Sequence, residues 1–233
     1  MPRPFGYALI AATGLLLASC SSGPPRVKDT TRTFTTVVVD AGHGGKDNGA
    51  FRRYGGVEKV ATLDVATRLS RKLRESEFQT VMTRTGDVFV ALDRRASIGN
   101  RQDNSIFVSV HFNDSGRRAI RGFETYYHSP VARNLAHRIQ QSLLTMPGSV
   151  NRGVKTAGFT VLRKSAYPAV LVECGFLSNR REGARARSPA YREQLADKIA
   201  EAIVDMRYGS GVYRGPATPA ATDPAAATSV HPE

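Results

Sequence analysis

Between residues 34 and 208, short runs rich in β-branched residues alternate with longer stretches whose apolar side chains recur every three or four positions. That alternation leaves few architectures open. A period of two places side chains on the two faces of a strand, whereas a period near 3.6 gathers them on one side of a helix. Residues 34–40 read as a strand, and the run Val37-Val38-Val39 predicts burial on both faces. Residues 57–76 read as a helix, with Val57, Val60, Ala61, Leu63, Val65, Leu69 and Leu73 at mostly helical spacing. Further strands are expected at 78–84, 105–111, 123–128, 159–162 and 169–174. Further helices are expected at 90–101, at 131–146 before Pro147-Gly148, and at 189–208. Ser188 is a suitable N-cap for the last, with Pro189 in its first turn. The pattern predicts a single α/β domain over 34–208, with helices on both faces of a sheet.

The flanks are different in kind. Residues 1–19 read as an export signal: Arg3 precedes an apolar run from Tyr7 to Leu17, too short to span a bilayer. The ending Leu17-Ala18-Ser19-Cys20 resembles a bacterial lipoprotein signal, which implies that Cys20 is lipidated and becomes the mature first residue. Ser21 does not resemble an inner-membrane retention signal, so the periplasmic side of an outer membrane is the expected location. Residues 20–33, with Pro24-Pro25, read as a tether. Residues 209–233 repeat Pro, Ala and Thr without an apolar period and read as a disordered tail. Cys174, the only other thiol, sits in an apolar run and reads as a buried small hydrophobe.

Charge is strongly asymmetric, with 33 Lys and Arg against 20 Asp and Glu. Nucleic acid, an anionic membrane surface and an anionic polymer would each suit it, as would a merely solvated basic surface. Finger spacings and aromatic RNA-binding signatures are absent from the sequence, and the basic residues are scattered along it. Nucleic acid is therefore not an expected partner.

In such a fold reactive side chains gather at strand ends and in the loops that follow. His43 lies in the turn Asp40-Ala41-Gly42-His43-Gly44-Gly45. His111 ends the third strand, Glu58 opens the first helix, and Glu173 ends the last strand. Two imidazoles and a carboxylate make a usual catalytic zinc set with one position open to water, and zinc lowers the pKa of such a water to roughly 7. A further carboxylate is then needed to carry the proton. A His in a Gly-rich turn also has structural uses, and Glu58 would suit a helix N-terminus electrostatically. Glu173 has no such alternative, because a carboxylate in an apolar strand is costly unless paired or functional. His137 reads as a surface residue, and His128 ends a strand where it could approach the site.

Taken together the motifs resemble the zinc-dependent N-acetylmuramoyl-L-alanine amidases of the cell wall. The resemblance runs through Val38 to Gly45 with Asp47 and Gly49, Glu58, Thr83 to Asp87, Leu92 to Arg95 with Asn100, and Ser109 to Asn113. It continues through Gly122 to Tyr127, Arg152 to Lys155 and Pro168 to Asn179. It implies a mostly parallel six-stranded sheet, with His43, Glu58 and His111 as zinc ligands. It also implies that Glu173 is the general base that activates water and then protonates the leaving amine. The implied substrate is peptidoglycan, cut at the amide joining N-acetylmuramic acid to L-alanine. Asn113, Asp114 and Arg95 are expected substrate contacts. Asp114 stands where relatives commonly carry a small residue. Only Phe112 to Gly122 separate His111 from the next strand, too short for the helical plug of some relatives, so an open site is expected. A monomer is expected as well. A catalytically inert wall-binding module and a zinc peptidase cutting between stem residues remain as rivals.

Overall fold

The computed structural model describes residues 26–215; the expected export signal and Cys20 lie outside the described residues. A six-stranded sheet carries the strands β1 (Thr36–Ala41), β4 (Gln79–Met82), β5 (Ser105–Asn113), β6 (Phe123–Tyr127), β7 (Asn151–Thr156) and β8 (Ala169–Phe176). Their order is β4-β1-β5-β8-β6-β7. β4, β1, β5 and β8 are mutually parallel, whereas β6 pairs antiparallel with β8 and parallel with β7. A small hairpin of β2 (Phe51–Arg52) and β3 (Gly56–Val57) stands apart.

Helices cover both faces, as the alternation predicts. α1 (Glu58–Glu75), α3 (Arg133–Leu144) and α6 (Pro189–Tyr208) pack on one side, and α2 (Leu92–Asn100) and α4 (Thr160–Arg163) on the other. α5 (Arg180–Ala186) joins β8 to α6. The larger core lies under α1, α3 and α6, where Val37, Val39, Val108, Val110, Val170 and Val172 meet the apolar stripes of the helices. The alternate residues Val38, Phe107 and Leu171 face Val161 and Leu162. Burial of both faces is why these strands read as unbroken Val and Ile runs.

Two elements depart from the expectation. Residues 159–162 are not a strand: Leu162 and Arg163 donate backbone N–H to Phe159 O, closing the short helix α4. A four-residue apolar run has no period to separate strand from helix, and here Val161 and Leu162 bury the same way from either. β7 escapes a sequence reading because Asn151 to Thr156 holds a single aliphatic residue. It is an edge strand, kinked at Gly153 (φ 89°).

The body also takes in more chain than expected. Lys28 N–H donates to Ala166 O, and Thr30, nearly buried, donates to Ser105 O, so residues 26–33 are packed rather than a free tether. At the other end the Tyr213 hydroxyl donates to Asp197 at 2.7 Å.

Candidate active site

β1 ends at Ala41, and the chain turns sharply through Gly42 into His43, whose φ of 61° is in the left-handed region. That conformation is uncommon for a residue with a side chain and is held only where the surroundings over-determine it. Here the hold is visible. His43 Nδ1 lies 2.9 Å from Asp47 Oδ2, and the Arg95 guanidinium donates to His43 O. The ring is thereby turned so that Nε2 faces inward. Glu58, the first residue of α1 and buried, meets it there: Glu58 Oε1 lies 3.0 Å from His43 Nε2 and 3.1 Å from His111 Nδ1. The carboxylate is itself fixed by backbone N–H groups of Phe112 and Ala50.

Ligand atoms of His43, Glu58 and His111 lie within 4.8 Å of one another, and the two rings meet edge to face. Space for this has been cleared by glycine. A Cβ on Gly42 would lie 2.4 Å from His111 Cε1, and one on Gly49 would lie 2.5 Å from Glu58 Oε2. Burial alone would raise the Glu58 carboxyl, but the two imidazoles outweigh it and hold it well below the usual range. Burial lowers both imidazoles, and Glu58 more than restores them, leaving His43 and His111 above the ordinary value. Two nitrogens converging on one buried carboxylate oxygen are a donor set with the chemistry of a three-ligand zinc site. The Asp47 contact to the outward nitrogen of His43 is the partner such ligands usually have.

Glu173 stands beside this cluster on β8, on the face where Leu171 also points. Burial raises its carboxyl to about 7, and Oε2 is buried without a hydrogen-bond partner. The cleft in front of it, about 630 Å³, is walled by Phe89, Leu92, Phe159 and Leu171. An ionisable group with an orphan oxygen facing an apolar cleft is the expected setting of a proton carrier.

The three expected substrate contacts all have partners within the chain. Arg95 reaches the cleft wall, but its guanidinium is used internally: it is 2% exposed and donates to Asp40, to the carbonyls of Ala41, His43 and Val90, and to nothing outside. Asn113 donates from Nδ2 to Glu124 Oε2 at 3.0 Å. Asp114 forms a two-pronged pair with Arg52, at the rim. His128 is exposed and bonded to Ala157 O, away from the cluster. Sequence reading overlooks Glu124. Its buried carboxylate accepts from Asn113, Tyr126, Arg152 and Lys155, and it faces Glu173 across the β6–β8 ladder. Burial would raise its carboxyl, but these donors hold it below the ordinary value.

With the geometry in view, comparison with known proteins is decisive for the family. A family profile described as N-acetylmuramoyl-L-alanine amidase matches residues 37–205. The chain belongs to that family. Among amidases it is similar to N-acetylmuramoyl-L-alanine amidase LytC of Bacillus subtilis strain 168. The two are 36% identical over 173 residues, 72% of this chain and 35% of LytC. It is 34% identical over 198 residues to the uncharacterized protein YqiI of the same organism, covering 83% of this chain and 93% of YqiI. The amidase AmiC2 of Nostoc punctiforme superposes with a TM-score of 0.71 at 38% identity, over 73% of this chain and 95% of that one. The chain thus spans about a third of LytC but nearly all of YqiI and of the AmiC2 chain. The single amidase domain with its six-stranded sheet is the fold the sequence predicts.

Proposed function

We propose that this chain hydrolyses the amide between N-acetylmuramic acid and the L-alanine of the peptidoglycan stem peptide, in wall turnover or cell separation. We propose zinc as its metal, held by His43, Glu58 and His111. The observation that carries this reading is the convergence of both imidazoles on the Glu58 carboxylate with Glu173 beside them. When bound, zinc supplies a Lewis acid that polarises the lactyl carbonyl and makes water acidic enough to react near neutral pH.

The chain's own groups account for the rest. Asp47 fixes the His43 ring and two backbone N–H groups fix Glu58, so the ligand atoms need no reorganisation. The ionised form of Glu173, present once the pH approaches its raised pKa of about 7, takes one proton from the attacking water. The water oxygen bonds to the carbonyl carbon, the C–N bond breaks, and the same proton passes to the leaving alanine nitrogen. The second water proton leaves the new carboxylic acid for the amine, so the products are a lactyl carboxylate and a free, protonated amino terminus. Phe89, Leu92 and Phe159 supply an apolar wall beside the reacting groups.

The reading extends to the flanks: residues 1–19 are an export signal, Cys20 carries the lipid, and the catalytic domain is held at the periplasmic side of the outer membrane. None of the described helices is long and apolar enough to cross a membrane. The connection Phe112 to Gly122 holds no helix, which supports an open enzyme that needs no activator to clear its cleft.

The deciding experiment combines metal analysis with product analysis on purified wall. The wild type should bind one zinc and release peptides with a free L-alanine amino terminus. His43→Ala should lose zinc, and Glu173→Gln should keep zinc but not cut. A wall-bound, zinc-free wild type that releases nothing would favour the binding module. New termini within the stem would favour the peptidase.

A further inference from the structure

The basic residues, scattered in sequence, are partly gathered by the fold. Thr31, Arg32, Asn134, Arg138, Met206 and Arg207 line a recess of about 290 Å³. It is built from the segment preceding β1, from α3 and from the last turn of α6. None of the ion pairs among the described residues uses any of its three arginines. Arg138 Nε is buried with no acceptor at all, and Arg207 Nε donates to Phe34 O at 3.0 Å. Asp29 acts on Arg32 only at a distance, its carboxylate being engaged by the Thr31 N–H and hydroxyl. Three guanidinium groups, none of them in an ion pair and with no acidic residue in the lining, present a concave donor surface suited to a phosphate.

Its place in the fold says which phosphate. The recess lies at the pole where β1 and β5 begin, since Phe34 precedes β1 and Thr30 bonds Ser105 O at the start of β5. His43, His111 and Glu173 lie at the opposite pole, at the strand ends. From Ser105 to His111 along β5 is about 20 Å at the rise of an extended strand. The chain enters at the recess pole, a few residues after Cys20 and the apolar run from Tyr7 to Leu17.

We propose that this pole rests on an anionic lipid surface, with the phosphate of one headgroup seated among Arg32, Arg138 and Arg207. The proposal deepens the reading of Cys20 as a lipid anchor and rests on it for the identity of the surface. Docked this way, the domain points its catalytic cleft away from the membrane and toward the wall.

The test uses the full chain carrying Cys20→Ser, so that no acyl group contributes, and vesicles of phosphatidylcholine with or without phosphatidylglycerol. Each basic residue near such a surface contributes enough that Arg32→Gln with Arg138→Gln should weaken binding to phosphatidylglycerol vesicles by about thirtyfold. Binding to phosphatidylcholine alone should not change. Arg32→Gln alone, on an exposed turn, should show about fivefold and guards against misfolding of the pair. Equal vesicle binding by wild type and variants overturns the proposal. So does a recess that takes inorganic phosphate, seen as an arginine-dependent rise in thermal midpoint, while vesicle binding is unaffected. Mass analysis of Cys20 in the native membrane protein tests the anchor separately: a bare thiol there would sink the anchor reading, while the vesicle comparison still reads the recess.

Discussion

Glu173 is the register partner of His111 in the parallel ladder between β5 and β8. The proposed proton carrier and a proposed ligand imidazole are therefore placed by backbone hydrogen bonds of the sheet rather than by a loop. Their separation is as rigid as the sheet itself, which is what proton transfer over a fixed distance requires.

Replacing Glu173 with Gln keeps shape and removes charge. Wall hydrolysis should fall by about 10²–10⁴-fold, the usual contribution of a general base. Zinc content should not change, and the thermal midpoint should hold or rise, because Oε2 has no partner to lose. A variant that retains activity would exclude Glu173 as the proton carrier.

The same residue should mark the pH dependence of stability. Its carboxyl is raised from 4.5 to about 7, so folding favours the protonated form. The stability this contributes is present in full below about 4.5 and is lost as pH rises through 7. Metal-free wild type should therefore lose up to about 3 kcal/mol relative to Glu173→Gln across that window. Chemical denaturation of both proteins at a series of pH values measures the difference.

Arg95 and Asp40 form a pair that is almost completely buried. Arg95→Ala would strand the Asp40 carboxylate and should cost about 3–5 kcal/mol. Arg95→Lys keeps the charge but cannot serve Asp40, Ala41 O and His43 O from one fork. It should fold, bind zinc more weakly, and lower kcat with little change in KM. A rise in KM alone would instead make Arg95 a substrate contact.

Glu124 collects four donors, so Glu124→Ala should destabilise by about 2–3 kcal/mol. Because Glu124 faces Glu173, its loss should also lower the pKa of the base and shift the acidic limb of the pH–rate profile downward. An unshifted acidic limb would show that the two carboxylates do not sense each other.

How much of this was legible depended on whether the local pattern carried the information. β1, β5 and β8 were legible because burial on both faces forces unbroken aliphatic runs. β7 was not, because an edge strand held by a single partner needs no such run. The four reactive residues could be found because each sits at a strand end or helix start next to a Gly or an apolar run. Glu124 offered the same clue as Glu173, a carboxylate within a strand. Yet Phe123-Glu124-Thr125-Tyr126 alternates like a half-solvated strand, and only the fold shows that face covered. Arg95 was expected to meet substrate, and nothing local in Arg94-Arg95 says that one of the two is buried. Which one is buried depends on Asp40, more than fifty positions away.

The bare backbone at Gly42 has a practical corollary. With a single added carbon falling 2.4 Å from His111 Cε1, the innermost turn tolerates no decoration at all. Anyone wishing to change what this protein cuts must work from the outer lip, at Phe159, Leu92 or Phe89, and leave the floor untouched.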